Sequence, residues 1–168
     1  MLLLASASRA AADEEPAPER AGIYGEMLAG AGSIDSAAVE PGIVAGQVGR
    51  LSSAFTDALL RFGMRGASGL GAIAEGRAGA IFGVTGASHT VFTTGALAGV
   101  QWNWQLSGLS PYLNARGGMR IDNGNARGTL ALGFGLEVSP GRRALVFEFS
   151  AEPLSPAAFA VRVGAMTF

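Results

Sequence analysis

Phe92-Thr93-Thr94-Gly95-Ala96-Leu97-Ala98-Gly99-Val100-Gln101-Trp102-Asn103-Trp104-Gln105-Leu106 alternates with a period of two. Its even positions include Phe92, Ala96, Ala98, Val100, Trp102, Trp104 and Leu106, while Gly99, Gln101, Asn103 and Gln105 occupy the odd ones. Successive side chains on a strand point to opposite faces, so one face meets an apolar medium and the other a polar one. In a soluble sandwich the apolar face would be the core. In a barrel that crosses a bilayer it faces lipid, with aromatic girdles near the strand ends, where Trp102 and Trp104 fall.

The segments that follow repeat the pattern. Ser107-Gly108-Leu109-Ser110-Pro111 reads as a tight turn. From Tyr112 to Asp122, Leu113, Ala115, Gly117, Met119 and Ile121 share one face, and Asn114, Arg116, Gly118, Arg120 and Asp122 the other. Asn123-Gly124-Asn125 is a hairpin signal. From Arg127 to Ser139, Leu130, Leu132, Phe134, Leu136 and Val138 oppose Thr129, Ala131, Gly133, Gly135 and Glu137. After Pro140-Gly141-Arg142, Leu145, Phe147, Phe149 and Ala151 alternate with Val146, Glu148 and Ser150. A last β-prone run, Ala160 to Phe168, ends the sequence. Strands of about nine to eleven residues suffice to cross a bilayer at a tilt, whereas soluble strands average about five or six.

Upstream the alternation has less contrast. Arg77 to Thr85 reads as a strand with Ala78, Ala80, Phe82 and Val84 outward, and Ala21 to Gly32 as another around Ile23, Tyr24, Met27 and Leu28. Gly42 to Met64 fits two strands, with Leu60, Phe62 and Met64 opposing Arg61, Gly63 and Arg65. It also fits a short helix, whose stripe would be Val44, Val48, Leu51, Phe55, Leu59 and Phe62. The strand reading is preferred. It brings the count to nine, and because single-chain bacterial barrels have even numbers, eight is the expected value.

Composition agrees. Of 168 residues, 49% are hydrophobic and 15% charged, with a net charge of −1. No run of eighteen apolar residues exists to make a transmembrane helix. A hydrophobic chain without a hydrophobic segment distributes its apolar residues, as a membrane β-barrel does. The basic residues are all arginine and form no stripe for nucleic acid. There is no cysteine for a disulfide, a thiol nucleophile or a thiolate metal site, and no cofactor or metal is expected. Met1-Leu2-Leu3-Leu4-Ala5-Ser6-Ala7-Ser8 reads as the end of a secretory signal, with cleavage sites at Ala5–Ala7 or Ala10–Ala12. Residues 1–20, including the acidic stretch Asp13 to Arg20, are assigned to signal remnant and linker, and 21–168 to one barrel domain.

From about Arg77 to Phe168 the chain resembles the small outer-membrane β-barrels of Gram-negative bacteria, the eight-stranded OmpA/OmpX-like group. Three stretches carry the resemblance: Ser110-Pro111-Tyr112-Leu113-Asn114-Ala115-Arg116-Gly117-Gly118, Ala131-Leu132-Gly133-Phe134-Gly135-Leu136-Glu137-Val138, and Val163-Gly164-Ala165-Met166-Thr167-Phe168. It implies an all-β, antiparallel up-and-down transmembrane barrel in the bacterial outer membrane. Gly164, Met166 and Phe168 would then form the C-terminal assembly signal, and Trp102, Trp104, Phe134, Phe147 and Phe149 the membrane-interface aromatics. Implied partners are periplasmic chaperones, the barrel-assembly machinery and lipopolysaccharide. If Phe168 faces lipid, strict alternation puts Arg162 there too, at about 2–4 kcal/mol near the midplane. A bulge near Gly164 is the expected escape, with a snorkelling Arg162 as the alternative.

Chemistry is sparse. His89, the single histidine, stands between Ser88 and Thr90, and a histidine can activate a serine. Adjacent side chains on an extended segment diverge, however, and no acid lies close in sequence, so His89 is read as a turn residue. Arg116, Arg120, Arg127, Glu137 and Glu148 are expected to form a charge network in the lumen, together with Arg61, Arg65, Glu75 and Arg77 in a wider set. Such a set either plugs a narrow barrel or lines an ion path; the plug is preferred. The reading is a non-enzymatic outer-membrane protein with a structural, adhesive or surface-interaction role. The rivals are a lipid-modifying barrel enzyme and a soluble or periplasmic barrel that binds an apolar ligand, with Trp102 and Trp104 buried inside.

Overall fold

The computed structural model describes residues 21–35, 52–84, 89–106, 108–139, 143–154 and 157–168. Among them every regular element is a strand: β1 (Gly22–Asp35), β2 (Ser52–Arg65), β3 (Leu70–Val84), β4 (His89–Asn103), β5 (Leu109–Asp122), β6 (Asn125–Val138), β7 (Arg143–Glu152) and β8 (Ala158–Thr167). Each pairs antiparallel with its chain neighbours, and β8 pairs with β1 to close the barrel.

The register fixes the shape. Followed one way from Leu28, the paired residues are Leu59, Arg77, Gly95 and Arg120. Followed the other way they are Gly164, Val146, Glu137 and Ser110. The two routes meet on β5 ten residues apart, from Arg120 to Ser110. An offset of that size over strands about 4.8 Å apart, at about 3.3 Å per residue, tilts them by roughly 40°. A tilted strand the length of β7 then rises about 25 Å, the height of a membrane barrel's apolar band.

Local chemistry sets the turns and the packing. Asn123 (φ 47°) and Gly124 (φ 86°) form the two-residue hairpin between β5 and β6, where both central residues need positive φ. Inside, Tyr24 lies opposite Gly63 and Tyr112 opposite Gly135. A Cβ on either glycine would fall on the facing tyrosine ring. Each ring thus folds flat over the neighbouring strand.

Several sequence expectations are corrected. Gly42–Met64 holds one described strand, β2; there is no helix in 52–64, and residues 36–51 lie outside the described residues, as do 1–20. Since Ser52 of β2 pairs with Asp35 of β1, eight strands complete the ring. β3 begins at Leu70, well ahead of Arg77, and β1 runs on past Gly32 to Asp35. The expected bulge near Gly164 does not exist: β8 keeps continuous register with both neighbours. Arg162 points inward and is 1% exposed, while Val161 and Val163 face out. Phe168 shares the inward parity. Beyond the end of β8 it packs against Tyr24 at a centroid distance of 5.9 Å, so the conflict with Arg162 never arises.

Candidate functional site

The interior is the chemically richest part of the molecule. Alternation on β2, β3, β5, β7 and β8 aims Arg61, Glu75, Arg116, Glu148 and Arg162 into one level of the barrel, where all are buried. Glu148 on β7 is the hub. It accepts from Arg61 Nη2 at 2.8 Å, Arg116 Nη2 at 3.1 Å, Arg162 Nη1 at 3.5 Å, Tyr112 Oη at 3.0 Å and Asn114 Nδ2 at 3.0 Å. Arg61 also donates to Glu26 Oε2 at 2.7 Å and to Glu75 Oε2 at 3.0 Å, and Arg116 donates to Glu75 as well. Arg162 Nη2 and Nε reach Asp57 at 2.6 and 3.0 Å, and its Nη1 donates to Ser150. Three guanidiniums and four carboxylates thus interlock across the bore.

A second cluster closes the end that holds the chain's C-terminus. Arg65 grips Glu137 with two nitrogens, at 3.0 and 2.5 Å, and Asn103 Nδ2 donates to the same carboxylate at 2.6 Å. The Arg65 guanidinium lies over the rings of Tyr24 (5.0 Å) and Phe168 (5.6 Å), a cation–π arrangement. A third cluster lies toward the opposite mouth. There Arg77 pairs with Glu152, Arg120 Nε reaches Asp122 at 2.7 Å, and Thr129 Oγ1 donates to Glu152 at 3.1 Å.

The charged residues named from the sequence therefore divide among three levels. Arg116 and Glu148 sit in the central cluster, Glu137 in the C-terminal-end cluster and Arg120 in the far one, while Arg127 is half-buried beside Arg120 in the register. Glu26, Asp57, Glu152 and Arg162 were not anticipated as members. Period-two parity could have found Asp57, two residues from Leu59 and four from Arg61 on the same face. Arg162 was hidden by the assumption that Phe168 faces lipid.

The exterior inverts a soluble protein. Ile23, Met27, Phe62, Phe92, Leu132, Phe134, Phe149 and Val161 are all exposed. Trp102 (50% exposed) and Trp104 (38%) stack outside at 5.0 Å, near the C-terminal end, while Gln101 and Asn103 are buried. Phe134, Phe147 and Phe149 also face out, in the body of the wall, with Phe134 directly opposite Phe149. A shallow apolar concavity of about 520 Å³ opens on this outer wall, lined by Trp102, Leu113, Leu132, Phe134 and Phe149 among others. Met166 is buried inside, Gly164 faces inward, and Phe168 is half-buried. A closed ring with charges within and an apolar face without suits a lipid solvent, in which backbone groups must pair within the sheet, as the eight antiparallel strand pairings here allow. This is an outer-membrane-type β-barrel. Its exterior is built for a membrane, and with the lumen filled by charge the soluble barrel with an apolar lumen is excluded.

One known structure shares the fold at a TM-score above 0.5. The crystal structure of Neisserial surface protein A (NspA) matches at a TM-score of 0.60 over 87% of this chain and 96% of that one, with 13% identity. Ail, the attachment invasion locus protein of Yersinia pestis, matches at 0.49 with 12% identity, over 88% of this chain and 98% of its own. No family model matches the sequence, and no curated protein matches it. The backbone of His89 opens β4 opposite Val84; its side chain and Ser88 lie outside the described residues. Among the described residues no group of three His, Asp or Glu could hold a metal ion.

Proposed function

We propose that this barrel is a closed, non-conducting, non-enzymatic protein whose work is done at its surface and its loop end, in a structural or adhesive role. The supporting observation is the central cluster: Arg61, Arg116 and Arg162 meet Glu26, Asp57, Glu75 and Glu148 in direct ion pairs across the bore. A side-chain-filled eight-stranded interior leaves no continuous water path. The partners proposed are lipopolysaccharide around the outer wall and, during biogenesis, periplasmic chaperones and the barrel-assembly machinery.

Planar bilayers containing the refolded protein test the closed interior. The expected trace is flat at physiological voltages. Discrete conductance steps of constant size would show that the charges line a path. For the surface role, a non-adherent Gram-negative host displaying the barrel should gain binding to cultured cells. A barrel that instead released fatty acids from lipid A would be an enzyme, and the proposal would fail.

A further inference from the structure

The outer wall does not have the same relief all round. On β3 and β4 the outward residues in its middle are Ala72, Ala74, Gly76, Ala96 and Ala98, which leave it flat. From β4 to β7 it is hollowed by the concavity of about 520 Å³. Trp102, Leu113, Phe134 and Phe149 stand along one pairing row there, each about half exposed. In the next outward row Val100, Ala115, Leu132 and Ala151 pair in turn, and the two alanines lower the floor. Gln101 and Asn114 line the hollow with their backbone, because their side chains turn into the lumen to bond Asn103 and Glu148. The hollow therefore presents hydrocarbon and aromatic rings, with no charged group.

Its depth follows from the register. With strands about 4.8 Å apart and tilted by roughly 40°, each step along the row from Trp102 to Phe149 climbs about 3 Å away from the C-terminal end. Phe149 thus stands about 9 Å deeper than Trp102 in an apolar band about 25 Å tall. The hollow opens at the tryptophans and ends near the middle of the band, within one leaflet. The C-terminal end carries the short connections 66–69, 104–108 and 139–142, and the longest, 36–51, lies at the other end. Short turns mark the periplasmic side of such barrels. At the open end Trp102 and Trp104 stack at 5.0 Å, and indoles favour the headgroup level.

We infer that this hollow is a site for one acyl chain of a phospholipid in the periplasmic leaflet. Its headgroup end lies at the tryptophan pair and its methyl end beside Ala115 and Phe149. This rests on the lipid-facing wall described above and names the lipid class and the leaflet. The hollow is continuous with that wall, carries no charge to match a headgroup, and spans the depth of a single leaflet. A lipopolysaccharide chain would have to reach it from the opposite leaflet. Lipid tails are as apolar as the wall, so burial brings no hydrophobic gain. The chain is held instead by van der Waals contact on several sides, where the flat alanine wall of β3 and β4 offers contact on one.

The test uses the full chain refolded into nanodiscs of phospholipid with protonated acyl chains, the protein being deuterated except for its alanine methyl groups. Nuclear Overhauser transfer from the chain methylenes is read at Ala115 and Ala151 in the hollow and at Ala74 on the flat wall. Ala74 and Ala115 lie within about 3 Å of the same depth on the tilted strands, so chain density does not separate them. Transfer should be severalfold stronger at Ala115 than at Ala74. Ala115→Phe, which fills the floor from outside, should lose the strong transfer at Ala151 and keep the heat-dependent gel shift of the parent. Ala74→Phe, the same bulk on the flat wall, should leave the Ala151 signal unchanged. Equal transfer at Ala115 and Ala74, or an undiminished Ala151 signal in Ala115→Phe, would overturn the inference and leave the lipid-facing wall intact. Strong transfer at Ala115 from protonated lipopolysaccharide mixed with chain-deuterated phospholipid would overturn the lipid class and the leaflet. Transfer between differently labelled copies would overturn it by placing a second copy in the hollow. Transfer from water alone at both alanines would mean that the membrane reading itself had failed.

Discussion

Replacing Glu148 with glutamine keeps the shape of the side chain and removes the charge that holds three arginines together. In the parent its carboxylate pairs with Arg61 at 2.8 Å, Arg116 at 3.1 Å and Arg162 at 3.5 Å, with both partners of every pair almost wholly buried. Glutamine offers one acceptor oxygen in place of two and turns an amide donor toward a guanidinium. Breaking a buried ion pair by removing one partner costs about 3–5 kcal/mol, because an uncompensated charge stays behind. With a urea slope of roughly 2 kcal/mol per M, the unfolding midpoint should fall by about 2 M. The assay is urea unfolding in lipid vesicles, followed by the fluorescence of Trp102 and Trp104 and by gel mobility. The companion variant Asp57→Leu/Arg162→Met removes both members of the pair at 2.6 Å and should leave the midpoint unchanged or raise it. A Glu148→Gln midpoint within about 0.5 M of the parent, on the same slope, would refute the interlocked interior.

Other substitutions probe the remaining features. Gly135→Ala places a Cβ on the Tyr112 ring and should cost about 1–3 kcal/mol by the same urea assay, as overpacking does. Leu132→Arg, on the outer wall, should cost about 2–4 kcal/mol if that position lies near mid-bilayer. Measured in detergent and again in bilayers of increasing thickness, that penalty should grow with the bilayer. Phe168→Ala removes one of the two rings beneath Arg65 and should cost about 0.5–2 kcal/mol, read as a lowered unfolding midpoint with barrel closure retained.

The strands from β4 onward were legible because their two faces differ sharply, as Trp102 and Trp104 do from Gln101 and Asn103. The first third was less so because apolar residues occupy both faces. Tyr24 and Leu28 point in while Ile23 and Met27 point out, and Ile73 is buried beside exposed Ala72 and Ala74. In β2, Phe55 and Leu59 are both interior, and a four-residue spacing repeats on a strand as it does on a helix, which produced the helical stripe. The charge network could be assigned to a face but not to partners. Arg162 meets Asp57 across 105 positions of sequence, a contact that exists only once the register closes with its ten-residue offset.

The most direct measurement is the quenching of Trp102 and Trp104 in vesicles whose acyl chains carry bromine near the headgroup end. With the aromatic face in lipid, emission should drop strongly in the brominated vesicles and resist a water-soluble quencher. Emission indifferent to bromine and quenched from water would contradict a barrel that turns its apolar face to the membrane.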